Sequence, residues 1–223
     1  MAATLDLSPD ELLITTRAVR RRLDFDRPVP IELVRECVEI ALQAPSGSNS
    51  RNWHFIVVSD PAKRERIGEL YRQGFEQYRS MPISAHALAE KAEAADVSTM
   101  QAVVSSAESL AANLHRAPHL VIPCVEGRMP PLPPPMDSVV NASQYGSVLP
   151  AFWSFMLAAR ARGLGTCWTT IHLMHEEEIA GMLGIPYAEV MQTALSPVAF
   201  TVGTDFKPAR GRGLEGTLHE DAW

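Results

Sequence analysis

Four segments of this chain hold residues whose types and spacing could do chemistry. The first is Arg17-Ala18-Val19-Arg20-Arg21-Arg22, a cluster of guanidiniums suited to a phosphate. The second runs from Ala44 to Trp53 as Ala-Pro-Ser-Gly-Ser-Asn-Ser-Arg-Asn-Trp. Its Gly47 lets backbone approach a ligand closely, and Pro45, Ser46 and Asn49 sit in a polar, backbone-rich loop that can wrap a planar polar molecule. The third is Gly163-Leu164-Gly165-Thr166-Cys167-Trp168-Thr169-Thr170, and the fourth Phe206-Lys207-Pro208-Ala209-Arg210-Gly211-Arg212, a second basic turn. Each has an ordinary structural explanation when taken alone. Arginines are comfortable at a helix C-terminus, Pro-Ser-Gly ends a helix, Gly163 caps one, and basic tails are usually solvated.

Two other patterns carry less. Gly211-x-Gly213-x-x-Gly216 has the form of a dinucleotide fingerprint, but it follows no well-placed strand and leaves too few residues for the helix and strand that must come after it. His172-x-x-His175 lacks a third ligand at zinc-like spacing, and the cysteines are not clustered, so no metal is expected.

The elements that must position these segments can be read from capping and periodicity. Ser8-Pro9-Asp10-Glu11 opens a helix expected to reach about Leu23 and to carry the arginines at its end. After Pro28 and Pro30 a second helix is expected from Ile31 to Ala44, with Val34, Cys37, Val38 and Ala41 on one apolar stripe. Trp53 to Val58 reads as a buried strand, and Asp60-Pro61 restarts a helix. Residues 62 to 116 are helical in composition, with a break at Met81-Pro82-Ile83-Ser84. Leu120 to Val125 is a second buried strand, in which Pro123 argues for an edge or a bulge. Pro130 to Pro135 is a stiff connector, favoured as a flap beside a pocket over a linker. A helix from Asn141 to Arg162 and a strand region from Val190 to Gly203 follow.

With 223 residues, 46% apolar and 21% charged, the chain is expected to form one domain spanning 1–223. A net charge of −6 gives little support to a nucleic-acid partner, so the arginines near residue 20 are a local feature. No stretch is apolar and long enough to span a bilayer, and the first residues lack a secretory pattern. Three scattered cysteines, Cys37, Cys124 and Cys167, read as buried free thiols in a cytoplasmic protein.

Taken together and in order, the four segments resemble the flavin-dependent nitroreductase family, which is FMN-binding and NAD(P)H-dependent. The resemblance implies an α/β (α+β) fold, a central mainly antiparallel sheet sandwiched by helices, in an intertwined homodimer with FMN at the interface. It implies that Arg17 holds the FMN phosphate and that Arg20 approaches the N1–C2 edge of the ring. Ala18 stands where the family often has serine, which removes one phosphate hydrogen bond. Pro45, Ser46, Gly47 and Asn49 are implied to cross the flavin, although Ser50-Arg51-Asn52 replaces the family's Ser-Gln-Pro. Leu164, Gly165 and Thr166 are implied to face N5, and Arg212, with Arg210 second, to return to the phosphate.

The reaction implied is ping-pong hydride transfer from NADH or NADPH to a nitroaromatic or quinone-like small molecule. No side chain is needed as nucleophile or general acid. Two other readings stand beside it. One is a relative that uses reduced FMN for reductive dehalogenation or flavin fragmentation, of which the dehalogenase version is disfavoured because no Glu-Tyr-Lys lid is recognisable between residues 75 and 116. The other is a non-catalytic flavin-binding or redox-sensing protein.

Overall fold

A computed structural model describes residues 3–93, 96–209 and 213–223. Chain order is α1 (Pro9–Thr15), β1 (Leu23–Asp24), α2 (Ile31–Ala41), β2 (Trp53–Val58), α3 (Pro61–Arg79), α4 (Ala85–Glu90), α5 (Val97–Asn113), β3 (His119–Glu126), α6 (Met136–Ala161), β4 (Leu164–Thr166), α7 (Glu176–Leu183), β5 (Val190–Gln192) and β6 (Ser196–Thr201). The strands form one six-stranded sheet in the order β1-β6-β3-β2, with β4 on β6 and β5 on β3, all antiparallel. This is the helix-sandwiched α/β arrangement expected.

Alternation along β3 sets the layers. Val121 and Val125 point to the side of α2 and α6, where Val34, Cys37, Phe152, Phe155 and Ala159 are fully buried. Leu120, Ile122 and Cys124 point to the opposite side, onto Ile67, Leu70 and Tyr71 of α3 and Leu110 of α5. All three cysteines are free and buried, as read from the sequence.

Local signals are met where the caps are strong. Ser8 and Glu11 form a reciprocal capping box, and Asp60 accepts from the Lys63 amide at 2.9 Å. Ser84 starts α4 after the break at Met81.

Four expectations are corrected. The first helix ends at Thr15 instead of about Leu23. Thr15 and Thr16 turn their hydroxyls back onto the Glu11 and Leu12 carbonyls, both at 2.6 Å, and the chain then becomes extended. The arginines therefore lie beyond the helix, in a segment paired to the sheet, and do not sit at a dipole end. Likewise, α6 begins at Met136, five residues before Asn141, and α2 stops at Ala41.

Pro123 is at neither an edge nor a bulge; it lies mid-way along β3 in unbroken register with Phe55. Glu126 N–H bonds Asn52 O, so even-numbered residues of β3 bond toward β2 and Pro123 faces the other way. There the neighbouring strand changes from β5 to β6, and the Pro123 carbonyl accepts from Thr193 N–H at 2.9 Å. The missing amide proton falls at that gap. Pro130 to Leu132 border a cavity of about 330 Å³ against the first turns of α6 and Met191, lined by none of Arg17 to Arg22.

Candidate functional site

The decisive contact joins the first and third chemical segments. Ala18 forms a parallel bridge with Thr166, and Val19 N–H donates to Thr166 O at 2.8 Å. Gly165 permits it: a Cβ there would lie 2.8 Å from Thr201 Cγ2, 2.9 Å from Leu23 Cδ2 and 3.0 Å from Val19 Cβ. The 17–20 segment is thereby fixed on β4.

Val19 anchors the segment in the core and Arg20 turns toward α3 and α5. Its guanidinium donates to Ser106 Oγ at 3.4 Å and borders a cavity of about 320 Å³. Tyr71, Phe75 and Tyr78 give it an aromatic wall, and Cys167 to Thr170 line it as well. Tyr71 Oη and Thr169 Oγ1 share a hydrogen bond of 2.8 Å, and burial pushes the tyrosine pKa far up, so the phenol stays neutral. Burial also pushes up the Cys167 thiol, with Arg20 opposing; this cysteine is no ready nucleophile.

Arg17 is already engaged. Its Nε donates to Lys207 O at 3.0 Å, Nη1 to Thr16 O at 2.7 Å and Nη2 to Ile14 O at 2.6 Å. Of five donors, two remain without a partner among the described residues. The contact to Lys207 brings the start of the fourth segment beside the first. Two further arginines hold the approach: Arg22 pairs with Asp205 at 2.5 Å, and Arg160, buried, donates to Thr204 O at 3.0 Å. Both guanidiniums lie over the Phe206 ring. Arg160 Nε and Nη1 are buried without a partner among the described residues, and burial lowers its pKa. Arg210 and Arg212 lie outside the described residues.

The second segment does not join the others within one chain. Gly47 N–H donates to Ser147 Oγ of α6 at 2.9 Å, so Pro45, Ser46, Gly47 and Asn49 pack on the α6 layer. Arg20 packs on the α3–α5 layer, and the sheet lies between. The loop is strained: Ser48, Asn49 and Arg51 all have φ near +50°, a conformation that favours glycine. Ser46 Oγ holds it by accepting from Arg51 N–H at 3.1 Å.

Leu164, Gly165 and Thr166 are buried in the sheet between β6 and the Ala18–Val19 segment. The groups of this region that border the cavity are Cys167, Trp168, Thr169 and Thr170. Trp168, Thr169 and Thr170 stood in the third segment with no role assigned to them, and Tyr71, Phe75 and Ser106 lie outside all four segments. The threonines adjoin the Gly-Leu-Gly-Thr run and could have been taken with it; nothing local marked the face of α3.

Among the described residues no group of three His, Cys, Asp or Glu could hold a metal ion, and no helix is long and apolar enough to cross a membrane. His172 is fully buried with neither ring nitrogen bonded among the described residues, and burial pushes its pKa down to about 3.

Residues 14–204 match the Nitroreductase family, and the chain belongs to it. Among curated relatives, the NADH dehydrogenase of Thermus thermophilus is 41% identical over 69 residues, 31% of this chain and 33% of that protein. Iodotyrosine deiodinase 1 of Rattus norvegicus is 35% identical over 63 residues, 28% of this chain and 21% of that protein. Each match spans a third or less of the relative's length. The FMN-dependent nitroreductase NfnB from Mycobacterium smegmatis, solved in complex with NADPH, superposes with a TM-score of 0.65 at 20% identity. It covers 96% of this chain and 97% of that chain, a likeness of fold.

Proposed function

We propose that this protein is an FMN-dependent oxidoreductase that takes reducing equivalents from NADH or NADPH and passes them to nitroaromatic or quinone-like small molecules. The observation that carries the reading is the Ala18–Thr166 bridge, which sets Arg20 over an aromatic-walled cavity and Arg17 beside the basic turn. The donors suit the cofactor. The cavity lies in the range of small-molecule sites. Among the described residues Arg17 keeps two N–H groups for a phosphate, and Arg20, held by Ser106 and beside Cys167, presents its charge to a ring edge that gains negative charge.

Bound FMN would supply hydride transfer between a nicotinamide and a flat, electron-poor acceptor in two half-reactions at one face. The chain's residues would do the rest. Arg17, with Arg210 and Arg212, would hold the phosphate, and Arg20 would favour the reduced state by its fixed charge. Tyr71, Phe75 and Tyr78 would exclude water, and the neutral Tyr71 and Thr169 hydroxyls would orient polar atoms.

A second copy of the chain would complete the site. Pro45, Ser46, Gly47 and Asn49 cannot reach Arg20 of their own chain, and the α2–α6 layer exposes Ile40, Leu42, Met136, Val139, Tyr145 and Trp153. A homodimer would bury that surface and bring the strained loop of one protomer to the arginines of the other.

Steady-state NAD(P)H oxidation with nitrobenzene and with a benzoquinone tests the reading. Acceptor-dependent turnover supports it, and FMN bound without turnover on any acceptor points to a flavin carrier or sensor. The match to iodotyrosine deiodinase 1 favours reductive dehalogenation as the second reading, and iodide release from 3-iodotyrosine without turnover of nitrobenzene would establish it.

A further inference from the structure

We propose that Arg21 and Ser105 form an anion seat at the outer edge of the site, which binds a phosphate or carboxylate carried by the substrate. The inference rests on the reading above, which employs Arg17 and Arg20 and leaves Arg21 without a role. Arg21 is exposed, and its guanidinium donates to the Ser105 hydroxyl. One residue further along α5, Ser106 accepts from Arg20.

Charge balance separates these two arginines from their neighbour. Arg22 is neutralised by Asp205, whereas no carboxylate pairs with Arg20 or Arg21 among the described residues. Adjacent guanidiniums repel each other, and the protein as a whole is acidic, at −6. Two unneutralised cations side by side are therefore a local choice that an anion would relieve.

The donor inventory points the same way. Arg21 spends one of its five N–H groups on Ser105, and the Ser105 hydroxyl, having accepted that bond, keeps its own hydrogen to donate. Ser106 differs, because its hydroxyl is spent on Val103 O at 2.9 Å. The seat thus offers donors, and an acceptor-rich oxyanion satisfies them. A planar guanidinium fork matches carboxylate and phosphate alike.

Position makes the seat part of the site. Residues 18 to 22 line a cavity of about 200 Å³ with Ser106 and Phe206. A second cavity, of about 480 Å³, runs along α5 past Ser98, Thr99, Ala102 and Val103 and shares Ser106 with the first. A substrate whose reacting end lies at Arg20 and whose tail follows α5 passes Arg21. Two substrates carry a suitable anion: NADPH through its 2′-phosphate, and an acceptor bearing a carboxylate.

Calorimetric titration of the purified protein distinguishes the sources. NADP⁺ against NAD⁺ reads the phosphate, and 4-nitrobenzoate against nitrobenzene reads the carboxylate. The seat predicts that at least one anionic probe binds tenfold or more tightly than its comparator. Arg21→Gln should reduce that ratio to within twofold, and Arg21→Lys should restore part of it. Ratios near one in the unmodified protein, or a ratio unmoved by Arg21→Gln, would overturn the seat. Released FMN is measured on the same samples: protein without FMN counts against the flavin reading alone, because the probe ratios still report on Arg21 directly.

Discussion

Replacing Gly165 by alanine tests the contact on which the site is built. The added methyl would lie 2.8 to 3.0 Å from Thr201 Cγ2, Leu23 Cδ2 and Val19 Cβ. Favourable carbon contacts lie at about 3.5–4.0 Å, so each neighbour would have to retreat by roughly half an ångström or more. None is free to do so. Val19, Leu23 and Thr201 are buried, Val19 N–H is bonded to Thr166 O, and Thr201 N–H is bonded to Gly163 O at 3.1 Å. Overpacking of this kind costs about 1–3 kcal/mol. For a chain of this length that corresponds to a fall in Tm of about 2–12 °C. Urea denaturation at one fixed protein concentration measures it. Since Val19 adjoins Arg20, the same displacement should weaken FMN binding. Gly181→Ala supplies the contrast, because a Cβ there meets nothing within 4 Å at an exposed position of α7. It should stabilise by about 0.5–1 kcal/mol through helix propensity. A Gly165→Ala protein within about 0.5 kcal/mol of the unmodified one would refute the close-approach argument.

Three more outcomes follow from named groups. Arg17→Ala should weaken FMN binding by about 1.5–3 kcal/mol, the range for a hydrogen bond to a charged group, and an unchanged equilibrium titration would remove Arg17 from the phosphate site. Arg20→Ala should lower the midpoint potential of bound FMN, read by spectroelectrochemistry; an unmoved potential would leave Arg20 a purely structural cation. His172 gives a pH signature. Unfolded, it takes up a proton below about pH 6.5, whereas the buried ring stays neutral until about pH 3. Its contribution is therefore intact above pH 6.5 and lost as the pH falls toward 3, at up to about 1.4 kcal/mol per pH unit. Urea midpoints at pH 7.5 and 5.5 should fall more steeply for the unmodified protein than for His172→Phe, and parallel falls would contradict the assignment.

Local chemistry told most about the elements and least about how they meet. Ser8 with Glu11 and Asp60 with Pro61 are complete within four residues, so both helix starts could be read directly. The run through Arg22 could not. Its conformation is set by Thr166, far along the chain, and that pairing overrides the helical appearance of the intervening residues. Pro123 misled for a related reason: proline forbids one hydrogen bond, and the topology happens to leave a gap there. The site was legible as a set of segments, because arginines, glycines and a polar loop announce themselves by type. Which layer each segment occupies was hidden. Separation of the Pro45–Asn49 loop from Arg20 by the sheet emerges only from packing against Ser147, and it turns the question of the site into one of assembly.

The most direct test of the account is the absorption spectrum of the purified protein, followed by denaturation and identification of what is released. Yellow protein that yields FMN at about one per subunit is the predicted result. Colourless protein that also fails to take up added FMN would contradict it.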